Sequence, residues 1–151
     1  MEDESARMME LGLQGFSCSQ ILILLALEAQ GKSNPDLVRA VSGLLSGMGA
    51  GKTCGALTGG ACVLGLYAGK GHDRENSDER LPAMLTRFVE WFEQEFTPLY
   101  GSIDCSEIVQ DDARLMFARC PEIIQRTHEQ LKAILAENAI PATGLEREEP
   151  L

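Results

Sequence analysis

The chain has 151 residues, is 44% hydrophobic and only 5% aromatic, and carries a formal net charge of −10. Such a chain is long enough to bury one core without disulfide staples, and too apolar to be wholly disordered. The acidity disfavours nucleic acid and anionic membrane surfaces as partners, and it suits a protein that meets basic surfaces on another protein. Met1-Glu2-Asp3-Glu4-Ser5 lacks the basic and apolar regions of a signal peptide. A cytoplasmic location is therefore expected, where thiols stay reduced.

The elements read as helices joined by short turns. Glu4 to Leu13 is expected to form a first helix with Met8, Met9 and Leu11 inward. Ser17 is placed to cap a second, Cys18 to about Ala29, whose Ile21-Leu22-Ile23-Leu24-Leu25 run is apolar nearly all round and therefore central. Gly31 closes it. Asn34-Pro35-Asp36 opens a third, with Leu37, Val38, Val41, Leu44 and Leu45 on its buried side. A glycine-rich stretch follows, and from Gly55 a small-residue helix resumes in which Gly55-Gly59 and Gly65-Gly69 are spaced for close backbone approach. It is uncharged from Thr53 to Gly69, yet shorter than the roughly 20 residues of a membrane span. No span is expected.

Lys70 to Arg80 reads as a polar loop. Pro82 to about Phe96 is a helix with Leu85, Phe88, Val89, Phe92 and Phe96 on one stripe, broken by Pro98 and Gly101. A short helix starts at Asp104 or Cys105, and Leu115 to Phe117 form a turn or short helix. Pro121 then begins a last helix that ends near Asn138. The expected architecture is all-α: a compact single-domain bundle of about six or seven helices around a buried glycine-rich helix. Residues 1–140 form this domain, and 141–151 are expected to be a disordered tail.

Four of the five cysteines stand where a helix would begin: Cys18, Cys54, Cys105 and Cys120. Free N–H groups and partial positive charge at a helix start favour the thiolate, which binds metals and attacks disulfides. Against this stands the reading of inert core thiols, since free cysteine is commonly buried. Their intervals match no zinc finger or ferredoxin run. Cys62, among Ala61, Val63 and Leu64, reads as a core thiol. Gly47-Met48-Gly49-Ala50-Gly51-Lys52-Thr53 ends like a phosphate-binding loop, but Ser46 stands where the first glycine belongs and a helix precedes it. His72 is expected in solvent, and His128 on the exposed side of the last helix.

Gly15-Phe16-Ser17-Cys18-Ser19-Gln20, Thr53-Cys54-Gly55-Ala56-Leu57-Thr58-Gly59-Gly60, Cys105 and Cys120 together resemble the C-GCAxxG-C-C family of redox-active proteins. Cys54 to Gly59 fits its Cys-Gly-Ala-x-x-Gly motif, and the likeness runs from about Met8 to Leu135. The chain is also similar to a domain of split-Soret cytochromes c that holds an iron–sulfur centre. Cys-x-x-Cys-His is absent, so haem is not implied.

The resemblance implies a small helical protein linked to electron transfer, or to oxidoreductase and transporter systems, rather than a stand-alone enzyme. Its redox or ligand positions are Cys18, Cys54, Cys105 and Cys120. Around a cluster held there, Gly55 and Gly59 would let the backbone approach, with Thr53 as a further supporting residue. Thr53 or Thr58 would hydrogen-bond a sulfur. The four cysteines either ligate an iron–sulfur cluster or cycle between dithiol and disulfide, with Cys18–Cys54 and Cys105–Cys120 as pairs. Zinc bound by the same four thiolates is a further reading. A reading of a different class is a non-catalytic interaction protein, whose acidic surface docks a basic partner and whose glycine-rich helix forms a homodimer.

Overall fold

Ser17 and Gly31 delimit the helix on which the rest is built. In the computed structural model, which describes residues 2–147, the Ser17 N–H donates to Gln20 Oε1 at 3.0 Å, so the residue before the helix is tied to its first turn. At the other end Gly31 takes φ +67°, Lys32 N–H bonds Leu27 O and Gly31 N–H bonds Glu28 O. This is the closure a left-handed glycine permits. The element order is α1 (Glu2–Leu13), α2 (Cys18–Ala29), α3 (Pro35–Val41), α4 (Gly55–Ala68), α5 (Leu81–Tyr100), α6 (Cys105–Val109) and α7 (Ala113–Glu137). No strand occurs among the described residues; Thr53 and Asp104 form one isolated antiparallel bridge. The chain is all-α.

The core is centred on α2 packed against α4. Ile21, Leu22, Ile23, Leu25, Ala26 and Leu27 are all buried, as expected for a helix apolar all round. Close packing depends on Gly59, where a Cβ would lie 2.7 Å from Ser19 Cα. Ser19 itself is fully buried, and its hydroxyl donates to Val41 O at 2.8 Å, which ties α2 to the end of α3. On the other side α5 presents Met84, Phe88, Phe92 and Phe96, one residue per turn, all buried.

Three boundaries differ from the sequence expectation. The third helix ends at Val41 and gives way to a 3-10 turn, Ser42–Leu44, leaving Leu45 45% exposed rather than inward. Ser42 Oγ bonds back to Arg39 O, and Ser46 then turns left-handed, so the helix cannot continue. The α5 helix runs through Pro98 to Tyr100. Tyr100 stacks on Phe96 with centroids 6.2 Å apart and carries the Arg119 guanidinium 4.8 Å above its ring, contacts that hold the added turn. Gly101, at φ +82°, ends it.

The last helix begins at Ala113, capped by Asp112 Oδ1, which accepts from Arg114 N–H at 2.8 Å. Pro121 therefore lies inside α7. The carbonyl that its missing N–H leaves without a helical donor belongs to Phe117, an exposed residue where water can serve instead.

Residues 141–147 lie against α4: Tyr67 Oη donates to Ala142 O at 2.6 Å, and the Arg147 guanidinium bonds Gly69 O at 2.9 Å and Tyr67 O. Leu145 packs on the core. Residues 148–151 of the expected tail lie outside those described.

One core position is polar without return. Thr127 is fully buried and its hydroxyl has no partner. Thr127→Val keeps the shape and removes that desolvated group, so it is expected to raise stability by about 1 kcal/mol. Urea denaturation checks this; a loss of stability would show that the hydroxyl is bonded in solution.

Candidate functional site

Three of the four cysteines do stand at helix starts. Cys18 is the first residue of α2, Cys54 the residue that precedes α4, and Cys105 the first of α6. Cys120 does not: it is the eighth residue of α7, next to Pro121. What draws Cys54 and Cys105 together is invisible to helix periodicity. Around the Thr53–Asp104 bridge, Cys54 N–H donates to Ile103 O at 2.9 Å and Cys105 N–H to Lys52 O at 2.7 Å. In that antiparallel register Cys54 faces Ile103, so Cys105 is its diagonal neighbour on the same face, with Cα atoms about 7 Å apart.

Cys18 reaches the group from α2, its sulfur against Gly55, where a Cβ would lie only 2.6 Å from Sγ. Cys120 reaches it from α7, which is fastened to α6 by an Arg119 Nη1 hydrogen bond to Ile108 O at 2.8 Å. The electrostatic coupling closes the circle. A charge on Cys18 is opposed by Cys120 and Cys105, one on Cys54 by Cys18 and Cys105, and one on Cys120 by Cys54 and Cys105. All six pairings among the four thiols are represented.

Helix-start placement does not lower their pKa values as the sequence reading expects. Burial pushes Cys54 up to about 12 and Cys18 and Cys120 up to about 11, and it raises Cys105 as well. The helix N-termini act in the other direction. The Cys54 sulfur accepts from the Ala56 and Leu57 N–H groups, and that of Cys18 from Ser19 N–H and its own. Desolvation outweighs them because it acts on the whole charge, whereas each N–H offsets only part of it. Burial thus favours the protonated form at all four positions, and the thiols are all free rather than disulfide-bonded.

The supporting residues take different parts. Thr53 forms the bridge to Asp104, and Gly55 makes room for the Cys18 sulfur. Gly59 instead meets Ser19 at the crossing of α2 and α4, away from the sulfurs. Thr58 Oγ1 bonds the Cys54 carbonyl at 3.5 Å rather than a sulfur. Cys62 is half-buried against the core, raised by burial alone, and takes no part in the thiol coupling.

Neither histidine is where the sequence put it. His72 is 17% exposed with Nε2 3.2 Å from Glu75 Oε2, because Glu75 and Arg147 fold that loop onto the end of α4. His128 is 12% exposed with Nε2 3.4 Å from Glu4 Oε2, covered by α1. Burial lowers its pKa.

As the side chains stand, no group of three or more His, Cys, Asp or Glu among the described residues is arranged to hold a metal ion. The donor set nevertheless suits a thiolate-bound cluster. Four sulfurs from four separate segments share one field, those of Cys18 and Cys54 already receive backbone hydrogen bonds, and Gly55 leaves the space that the Cys18 sulfur occupies. No helix among the described residues is long and apolar enough to cross a membrane.

A family model described as "Putative redox-active protein (C_GCAxxG_C_C)" matches residues 16–134, a span that includes all four coupled cysteines. No curated protein and no solved structure matches the chain. With four-fifths of its length matched and its four thiols gathered, the chain belongs to the C_GCAxxG_C_C family of redox-active proteins.

Proposed function

We propose that the chain is an electron-transfer protein in which Cys18, Cys54, Cys105 and Cys120 ligate an iron–sulfur cluster. The observation that carries this reading is the mutual coupling of four thiols delivered by α2, the 52–54 bridge, α6 and α7. A bound cluster would supply one-electron chemistry. The protein's own part is to hold the four sulfurs, exclude water around Cys54, and aim N–H groups at the Cys18 and Cys54 sulfurs, which favours the reduced, more negative state.

The raised pKa values bear on the alternatives. A thiol–disulfide cycle needs an attacking thiolate near neutral pH, and Cys54 at about 12 supplies almost none. Iron overcomes the same penalty because its positive charge drives the proton off the coordinating sulfur. The diagonal register of Cys54 and Cys105 also spreads the sulfurs. Zinc would draw all four to about 2.3 Å from one centre, whereas a cluster shares them among several irons.

The test is purification without oxygen, followed by a visible spectrum and assays for iron, sulfide and zinc. Broad visible absorption with iron and sulfide in equal amounts is expected. A colourless protein, or one zinc per chain with no sulfide, would overturn the reading. The interaction-protein alternative predicts the colourless result.

A further inference from the structure

We propose that the hollow beside Cys105 is the docking surface for a redox protein whose contact face is apolar at its centre and basic at its edge. The proposal names the partner of the cluster reading above and rests on it. A cavity of about 900 Å³ is lined by Ser46, Gly49, Cys105, Gln110, Asp111 and Met116 among others. It is the opening through which one of the four cysteines reaches the surface.

Exposed apolar side chains stand at and beside it. Met116, in the lining, is 44% exposed, and Phe117, the next residue, 76%. They precede Cys120 by four and three residues on α7, so they share its face of the helix. The face that delivers a sulfur inward thus continues outward as two bare hydrophobic side chains. In the 42–51 segment, Leu45 and Met48 stand next in the chain to the lining residues Ser46 and Gly49 and are 45% and 53% exposed.

The backbone on both sides is held in an unfavourable form. Ser46, Met48, Gln110 and Asp111 are all non-glycine residues with φ between +50° and +59°. Lys52 N–H bonded to Gly47 O, and Gly51 packed so that a Cβ would lie 2.9 Å from Ser106 Cβ, keep the first segment in place. Such conformations persist where their surroundings impose them, and they gather at functional sites.

Charge decides what covers the patch. Glu107, Asp111 and Asp112 line or adjoin the hollow, against Lys52 and Arg114. Arg114 is occupied by Asp112 at 3.3 Å, while neither Glu107 nor Asp111 forms an ion pair with a described residue. A second copy would set acid rim on acid rim, with −10 on each chain, which disfavours a dimer through this face. A basic partner is steered toward it. The modest area suits the weak, small contacts of electron-transfer encounters.

The probe is oxidised cytochrome c, a basic protein that accepts one electron at an apolar haem edge; an acidic flavodoxin is the control. Carbodiimide cross-linking reads the contact without any redox step, and bonds from Glu107, Asp111 or Asp112 to cytochrome c lysines are expected. In stopped flow, the protein pre-reduced with dithionite passes one electron to the ferric haem and no proton moves. The rate should fall with salt, exceed that with flavodoxin, and drop about tenfold in Met48→Ser/Phe117→Ser with its visible spectrum unchanged. Cross-links that map elsewhere, an unaffected rate, or a wild-type dimer made monomeric by the double variant would each overturn the proposal. A colourless protein that still cross-links through these residues would overturn the cluster reading and leave the docking surface standing.

Discussion

Anaerobically purified Cys54→Ser protein is expected to lose its visible chromophore, and Gly55→Ala, which removes no thiol, is expected to lose it too. Cys54 is the most buried of the four, 8% exposed, and its sulfur is coupled to the other three. Serine offers a hydroxyl in place of a soft thiolate, so a cluster would keep three ligands. Gly55→Ala acts through space alone. Its Cβ would lie 2.6 Å from Cys18 Sγ and 3.0 Å from Leu44 O, and a carbonyl fixed in the backbone cannot withdraw. The displaced group is therefore the Cys18 sulfur. Alanine suits a helix better than glycine, so overpacking of about 1–3 kcal/mol is the upper bound on the stability cost. Circular dichroism should remain helical while iron per chain falls several-fold. A Gly55→Ala protein with full iron would show that Cys18 is not a ligand.

Phe92→Ala is expected to be the most destabilising single truncation in the fold, by about 3–5 kcal/mol. Phe92 is fully buried, with ring centroids 4.6 Å from Phe96, 6.4 Å from Phe88 and 6.2 Å from Trp91. In a chain only 5% aromatic, this cluster fills the space between α5 and its neighbours, and its rings are already packed on one another and on the core. The melting temperature should fall by roughly 10 °C. Phe117→Ala, the same truncation on an exposed ring, should change stability by less than about 0.5 kcal/mol. Equal effects from the two would refute the packing described here.

Local signals made most of the helices legible. Ser17 before Cys18, Asn34 before Pro35 and Gly31 after Gln30 act on backbone groups within a few residues, so their effect is readable without the rest of the chain. Proline misled for the same reason it usually informs. Pro98 and Pro121 remove a hydrogen bond, but whether a helix stops there depends on what holds the next turn, such as Tyr100 on Phe96 or the cap at Asp112.

The sequence by itself determined that the fold is helical, that α2 lies at its centre, and which four cysteines carry the family pattern. Only the tertiary structure decided that Cys54 and Cys105 meet across an isolated antiparallel bridge, that Cys120 arrives from within a long helix, and that burial raises the pKa of all four thiols. Helix starts depend on neighbours along the chain. Desolvation and coupling between thiols depend on groups up to a hundred residues away, and only packing brings those together.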